Sequence, residues 1–312
     1  MVEVWDEVVE AGPSPVSIIY VSSLEAGKDC LKLIRDAIAI DCVVTIDREL
    51  AASTKVSGYV DFSDLGIPVR HVHRYSMTDP RDVQMISELA PRLVIVNGWN
   101  RLIPPPVLAL PKHGCVGFHG SWRPLPFGRG RSPITWAILR GETEFFLHLF
   151  HLDDGIDSGD VIDTVRFDIT PFDTCASVHG KLAIMSARLL TRNVARILDG
   201  TATRTPQAGE PTYLPKVTPA DRLIDWTAPM QTICNLVRAM TRPYDGAFSD
   251  LEYEGRSTRM IIWDALPFSN DIDFEGGAGV IVHELGGKPL IKCRDGIMLV
   301  KDFSLVSPPS SS

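Results

Sequence analysis

Short apolar runs rich in β-branched residues alternate with helix-like stretches through the first half of the chain. "VSIIYVSS" (Val16–Ser23), "CVVTI" (Cys42–Ile46), "IPVRHV" (Ile67–Val72), "RLVIV" (Arg92–Val96) and "GCVGFH" (Gly114–His119) read as strands. Leu24–Ala39 and Pro80–Ala90 between them read as helices. Such apolar strands need cover on both faces, and the intervening helices supply it. The pattern predicts an α/β fold with a Rossmann-like open, mostly parallel sheet. A further helix, "SPITWAILRG", precedes two extended pieces, "FFLHLFHLDDG" and "DVIDTVRFDI". A long amphipathic helix then runs from about Thr174 to Leu198, with Val178, Leu182, Leu189 and Ile197 at near-helical spacing.

"DGTATRTPQAGEPTYLP" (Asp199–Pro215) breaks this pattern and reads as an interdomain linker. Beyond it, one helix (Ala228–Met240) and strand-like runs such as "TRMIIWDAL" and "AGVIVHEL" fit a smaller, OB-like β-barrel. The expected organisation is a catalytic domain over 1–200, a linker over 201–215, the OB-like domain over 216–306 and a disordered tail over 307–312. A chain of 312 residues can bury two such cores. It has no apolar run near the roughly 18 residues of a membrane span. "MVEVWDEVVEAGPSP" lacks the basic-then-apolar order of a signal peptide. The six cysteines form no C-x-x-C pair and read as buried free thiols of a cytoplasmic protein. His71 and His73 alternate at a strand end with no third ligand in view, so no metal is expected. The net charge of −8 disfavours a polyanionic partner.

The turn after the first strand, "SSLEAGKD", has neither G-x-G-x-x-G nor G-x-x-x-x-G-K-[ST], which argues against a nicotinamide or ATP site there. Attention moves to His119, which closes the fifth strand, and to the acidic loop "HLDDGIDSGDVI" with Asp153, Asp154, Asp157 and Asp160. Ligands of open parallel sheets bind beyond the carboxyl ends of strands. A carboxylate beside an imidazole favours its charged form and makes it a proton shuttle. On spacing alone, the Asp residues shaping a turn around a satisfied, half-buried His119 is an equal reading.

The segment from "LVIVNGWNRLIPPP" through "GCVGFHGSWRPLPFGRGRSPITWAILRG" to "HLDDGIDSGDVI" resembles the formyltransferases that use 10-formyltetrahydrofolate. That family includes methionyl-tRNA formyltransferase, the formyltransferase domain of the aminoarabinose pathway and the sugar N-formyltransferases. Its N-x-H-x-S-L-L-P, R-G-x-x-P and L-D-x-G segments are matched here by His119, Ser121, Arg129, Gly130, Pro133, Ile156, Asp157 and Gly159. "LPKVTPADRLIDW" and "NLVRAMTRPYDGAF" look like the family's post-linker segment, and the likeness spans roughly Val16 to Phe268.

The resemblance implies attack by an amine on a formyl carbon, with His119 as proton shuttle and Asp157 as its partner. It places the folate against Val96, Asn97, Gly98, Trp99, Asn100, Asp153, Asp154, Gly155 and Ile156. Ser121, Arg123, Arg129 and Arg131 are candidates for the acceptor, the arginines for a phosphate or carboxylate on it; a solvated basic loop is an equal reading of the arginines.

The departure is Gly117, where the family has its catalytic Asn. Losing one oxyanion donor costs about 2.7–4 kcal/mol. Either another donor has moved in, with Asn97 the side-chain candidate, or the chain is a diverged member with altered one-carbon chemistry or a non-catalytic folate-binding role. Residues 206–312 hold 10 Lys and Arg against 14 Asp and Glu, a net of −4. An acidic second domain disfavours tRNA and points to a small amine, either a nucleotide-linked amino sugar or an amino-acid-derived amine. A homodimer is compatible with this reading.

Overall fold

A computed structural model describes residues 18–307. The acidic N-terminal stretch, Val16, Ser17 and the tail from Pro308 lie outside them. Five strands run parallel: β1 (Ile18–Val21), β2 (Cys42–Thr45), β3 (Val69–His71), β4 (Leu93–Val96) and β5 (Cys115–Ser121). The two-residue β6 (Arg129–Gly130) stands apart from this sheet. β7 (Glu144–His151) and β8 (Val161–Asp168) extend it antiparallel, giving the order β3-β2-β1-β4-β5-β7-β8. This is the expected Rossmann-like, mostly parallel sheet.

Six helices accompany the sheet: α1 (Glu25–Ile34), α2 (Arg48–Ser53), α3 (Pro80–Glu88), α4 (Pro105–Leu108), α5 (Pro133–Arg140) and α6 (Cys175–Leu198). Their starts follow from local chemistry. Asp79 caps α3 ahead of Pro80, and Thr174 and Ser177 close a reciprocal capping box on α6. Successive strand residues face opposite sides. Tyr20, Leu93, Ile95 and Val116 therefore join one buried cluster with α1 and α6. Ile19, Val21, Val94, Val96 and Cys115 join another, with Ile86 of α3. All six cysteines are buried and unpaired. No described helix is long and apolar enough to cross a membrane.

After α6 the chain passes through β9 (Tyr213–Leu214) to α7 (Met230–Met240). The second sheet holds β10 (Ala247–Tyr253), β11 (Arg256–Ser269), β12 (Ile281–Glu284), β13 (Pro289–Cys293) and β14 (Gly296–Val306), antiparallel throughout in the order β10-β11-β14-β13-β12. Register shifts between β11 and β14 bend it, as bulges do. The outer strands β10 and β12 are not hydrogen-bonded to each other, so the barrel expected here is a curled half-barrel. Ile233, Val237 and Met240 of α7 share one buried cluster with Ile134, Ala137 and Ile138 of α5, so the second unit is docked on the first.

The segment read as a linker does join the two sheets, but it is bound to the first one as a strap. Thr205 exchanges backbone hydrogen bonds of 2.8 and 2.9 Å with Val161. β9 pairs in parallel with β6, Arg129 opposite Tyr213 and Gly130 opposite Leu214.

Candidate active site

β5 presents Gly117 and His119 on the face that carries Cys115. The Nε2 of His119 lies 2.7 Å from the carbonyl oxygen of Gly128. A carbonyl only accepts, so Nε2 carries a proton and Nδ1 is the nitrogen left for exchange. Nδ1 stands 3.4 Å from Oδ2 of Asp157, which also accepts the Gly130 N–H at 2.8 Å. The two side chains are only 8% and 20% exposed, so little bulk water competes for that proton. Asp157 takes a left-handed backbone conformation, φ 50°, which Asp tolerates better than most residues. Of the loop's four carboxylates, Asp157 is the one that faces the His119 ring. Asp153 accepts from Gly155 N and Ser158 Oγ at 3.1 and 2.6 Å, and Asp160 faces Arg204 at 3.6 Å. Asp154 is exposed.

A second imidazole, missed in the sequence, lies directly across the ladder: His148 of β7 is paired with His119. Its Nε2 accepts the Leu125 N–H at 3.2 Å, so Nδ1 holds the proton and donates to Thr164 Oγ1 at 2.8 Å. Burial, then the neighbouring His119, pushes its pKa down to about 4. His179 of α6, 3.1 Å from Tyr244 OH, is also pushed down to about 4 by burial. Between pH of about 6.5 and 4 the unfolded chain binds protons that the folded chain refuses. Stability contributed by these two groups is therefore complete above about pH 6.5 and is lost as pH falls toward 4, a loss on the order of several kcal/mol. Urea unfolding midpoints measured from pH 7.5 to 4.5 are expected to fall steadily, and His148→Gln with His179→Gln to flatten the decline. An unchanged decline in the double variant would show that other groups carry it.

Beside the His119–Asp157 pair is a cleft of about 100 Å³. Of the residues expected to hold the folate, Val96, Gly98, Trp99, Asp153 and Gly155 line it, together with Arg101, Leu102, Ile103, Gly117, Phe118, Phe150, Leu152 and Asp157. Asn97, Asn100, Asp154 and Ile156 do not line it. Asn97 is a correction with a simple cause. It continues the parity of Leu93 and Ile95, so its amide abuts Tyr20 and Cys30 on the face away from Gly117. It cannot serve there as the relocated donor. Asn100 is exposed and gives its backbone N–H to Tyr75 OH at 3.1 Å, and Ile156 is 46% exposed.

Two acceptor candidates are engaged within the fold. Ser121 is buried and spends its hydroxyl on the carbonyls of Arg123 and Phe127, at 2.8 and 3.1 Å, which shapes the loop. Arg129 directs Nε and Nη2 to Oε1 of Gln207, at 3.2 and 2.8 Å. Arg123 stacks over Phe127 at 5.1 Å and is exposed, as is Arg131.

A Cβ added to Gly117 would lie 2.8 Å from Cδ2 of Leu152, 3.3 Å from Cγ and 3.4 Å from Cδ1. The missing side chain leaves no hole: Leu152 occupies the space. Gln207 and Thr212 of the strap also touch the loops that flank His119, at Asp157 and Gly128. Their only sequence signal was polarity inside a Pro- and Gly-rich run, which also fits solvent exposure.

The model of the formyl transferase domain matches residues 38–194, and that of the formyl transferase C-terminal domain matches 216–307. Methionyl-tRNA formyltransferase of Ruminiclostridium cellulolyticum is 32% identical over 73% of this chain and 71% of its own length. The same enzyme of Pelotomaculum thermopropionicum is 37% identical over 59% of this chain, which spans 57% of that relative's length. Among solved structures, HypX from Aquifex aeolicus in complex with tetrahydrofolic acid superposes with a TM-score of 0.64 at 19% identity, covering 93% of this chain and 44% of that one. An N-formyltransferase from Helicobacter canadensis, in complex with folinic acid and dTDP-3-aminofucose, gives 0.61 at 16% identity, covering 92% and 99%. At these identities the structures speak for the fold alone.

Proposed function

Because the chain belongs to the formyltransferase family, we propose that it moves a formyl group from 10-formyltetrahydrofolate to the amine of a small acceptor. The observation that carries this reading is the His119–Asp157 pair at the carboxyl end of β5, beside a cleft lined by apolar and charged side chains together. Trp99, Leu102, Ile103, Phe118 and Leu152 suit a flat heteroaromatic head, and the buried Nε1 of Trp99 is a donor with no partner among the described residues. The folate supplies an electrophilic one-carbon unit when bound. The chain supplies the proton handling. His119 Nδ1 takes the proton of the attacking amine and returns it to the departing folate nitrogen, the Asp157 carboxylate steadies the imidazolium between the two transfers, and the Gly128 carbonyl keeps the ring from turning.

The acceptor is a small amine, a nucleotide-linked amino sugar ahead of an amino-acid-derived amine, with Arg123 and Arg131 placed to meet an anionic group on it. Supporting this, five cations of the acidic second unit are already paired with carboxylates: Arg222–Asp245, Arg242–Asp302, Arg259–Asp250, Lys292–Asp273 and Lys301–Asp264. These pairs, and the net charge of −4 over residues 206–312, weaken the unit's attraction for phosphates.

A panel of nucleotide amino sugars, ω-amino acids and methionyl-tRNA, each assayed with 10-formyltetrahydrofolate, tests the reading. Turnover is expected with at least one amino sugar. Binding of tRNA is expected to be no tighter than that of unrelated RNA at physiological salt. A sub-micromolar, tRNA-specific affinity would overturn the small-acceptor reading. Leu152 in the space beside Gly117 favours a second reading, one-carbon chemistry without an amine acceptor. Folate turnover with no formylated product from any amine would select it.

A further inference from the structure

We infer that Gln207 and Thr212, in the strap between the two sheets, are positioning residues for the His119–Asp157 pair. The Gln207 amide is fully engaged. Its Nε2 donates to the carbonyls of Asp157 and Gly159, at 2.8 and 2.9 Å, while its Oε1 accepts from Arg129. The bond to Asp157 falls on a residue held at φ 50°, a conformation that persists only where surroundings over-determine it. Gly159 is packed so closely that an added Cβ would strike the His151 carbonyl, so this loop has one seat against β7.

The other side of the imidazole is held in the same way. Gly128, whose carbonyl takes the His119 Nε2–H, donates its own N–H to Thr212 Oγ1 at 2.9 Å. Gly130, whose N–H goes to the Asp157 carboxylate, is paired with Leu214 of β9, and the next N–H, of Arg131, is given to the Leu214 carbonyl at 3.0 Å. Both contacts of the ring are thus backed, one bond further out, by the same fifteen-residue strap, 201–215. The strap selects the Nε2–H tautomer, and with it the free Nδ1 that faces Asp157.

This inference rests on the proposed role of His119, but its test reads the ring directly. Gln207→Met and Thr212→Val keep side-chain volume and remove only the hydrogen bonds. In protein labelled with ¹⁵N-histidine, His119 of the wild type is expected to report a single Nε2–H tautomer when neutral. Each variant is expected to show an admixture of the Nδ1–H form, larger in the double variant. With an amine that the wild type formylates, kcat is expected to fall about 10- to 100-fold while KM for the folate stays within about twofold, and Thr212→Ser to recover most of the Thr212→Val loss. His119 ring shifts unchanged in both variants would overturn the inference, even if kcat fell. If the wild type formylates no amine, the proposed function fails, and the ¹⁵N comparison still decides the role of the strap.

Discussion

His119→Ala and Asp157→Asn are each expected to lower formyl transfer by at least about 100-fold with the fold intact, the scale on which acid–base residues act. The first removes the only nitrogen of the ring not tied to Gly128. The second keeps the shape of the side chain and its contact with the Gly130 N–H but removes the charge that faces Nδ1. His119 does not line the cleft, and Asp157→Asn keeps the shape of the one lining side chain it changes, so the loss is expected in kcat, with KM for the folate little changed. Steady-state kinetics with the accepted amine, alongside thermal unfolding, make the check. Near-normal turnover in either properly folded variant would remove the pair from the mechanism.

Gly117→Asn is expected to lower activity, although it restores the residue usual in the family. Its Cβ begins 2.8 Å from Leu152 Cδ2, and Leu152 lines the cleft. Leu152 has to move, and overpacking of this kind costs about 1–3 kcal/mol. If the displaced side chain enters the cleft, that cost appears as a rise of about tenfold or more in KM for the folate. Gly117→Asn with Leu152→Ala is expected to return KM toward the wild-type value, because the shortened side chain clears the space. A single Gly117→Asn variant with wild-type KM and equal or higher kcat would show that Leu152 yields without cost and that this site still accepts the missing donor.

The parallel half of the fold was legible because buried parallel strands are written as largely apolar runs, and β1 and β4 are apolar throughout, β2 up to its last residue and β5 up to His119. His119 and Asp157 were legible as a pair because family motifs name both. What escaped depended on parity and register. Asn97 was expected beside His119, yet it is an odd number of residues beyond Val96 and so faces the other way. Ser121 and Arg129 look available to an acceptor in the sequence because no motif names their hydrogen-bond partners. Ser121 closes on its own loop, and Arg129 meets a glutamine 78 positions away. His148 was hidden inside the apolar run "FFLHLFH", since only the β5–β7 ladder shows which histidine it opposes. The half-barrel was legible as short strands and turns, but the bulges that leave it open have no local signature.

The strap also decides what recombines with what. α6 ends at Leu198, which would be the natural joint for grafting a different second unit onto this sheet. A chimaera spliced there would import a foreign segment in place of Gln207, Thr212 and Leu214 and so alter the support of the loops around His119 without changing one of their residues. The seam that leaves the proton-handling machinery whole falls after Pro215. A different second unit can be exchanged as a cassette only downstream of that seam, and the fifteen residues before it are inherited with the histidine whose contacts they back.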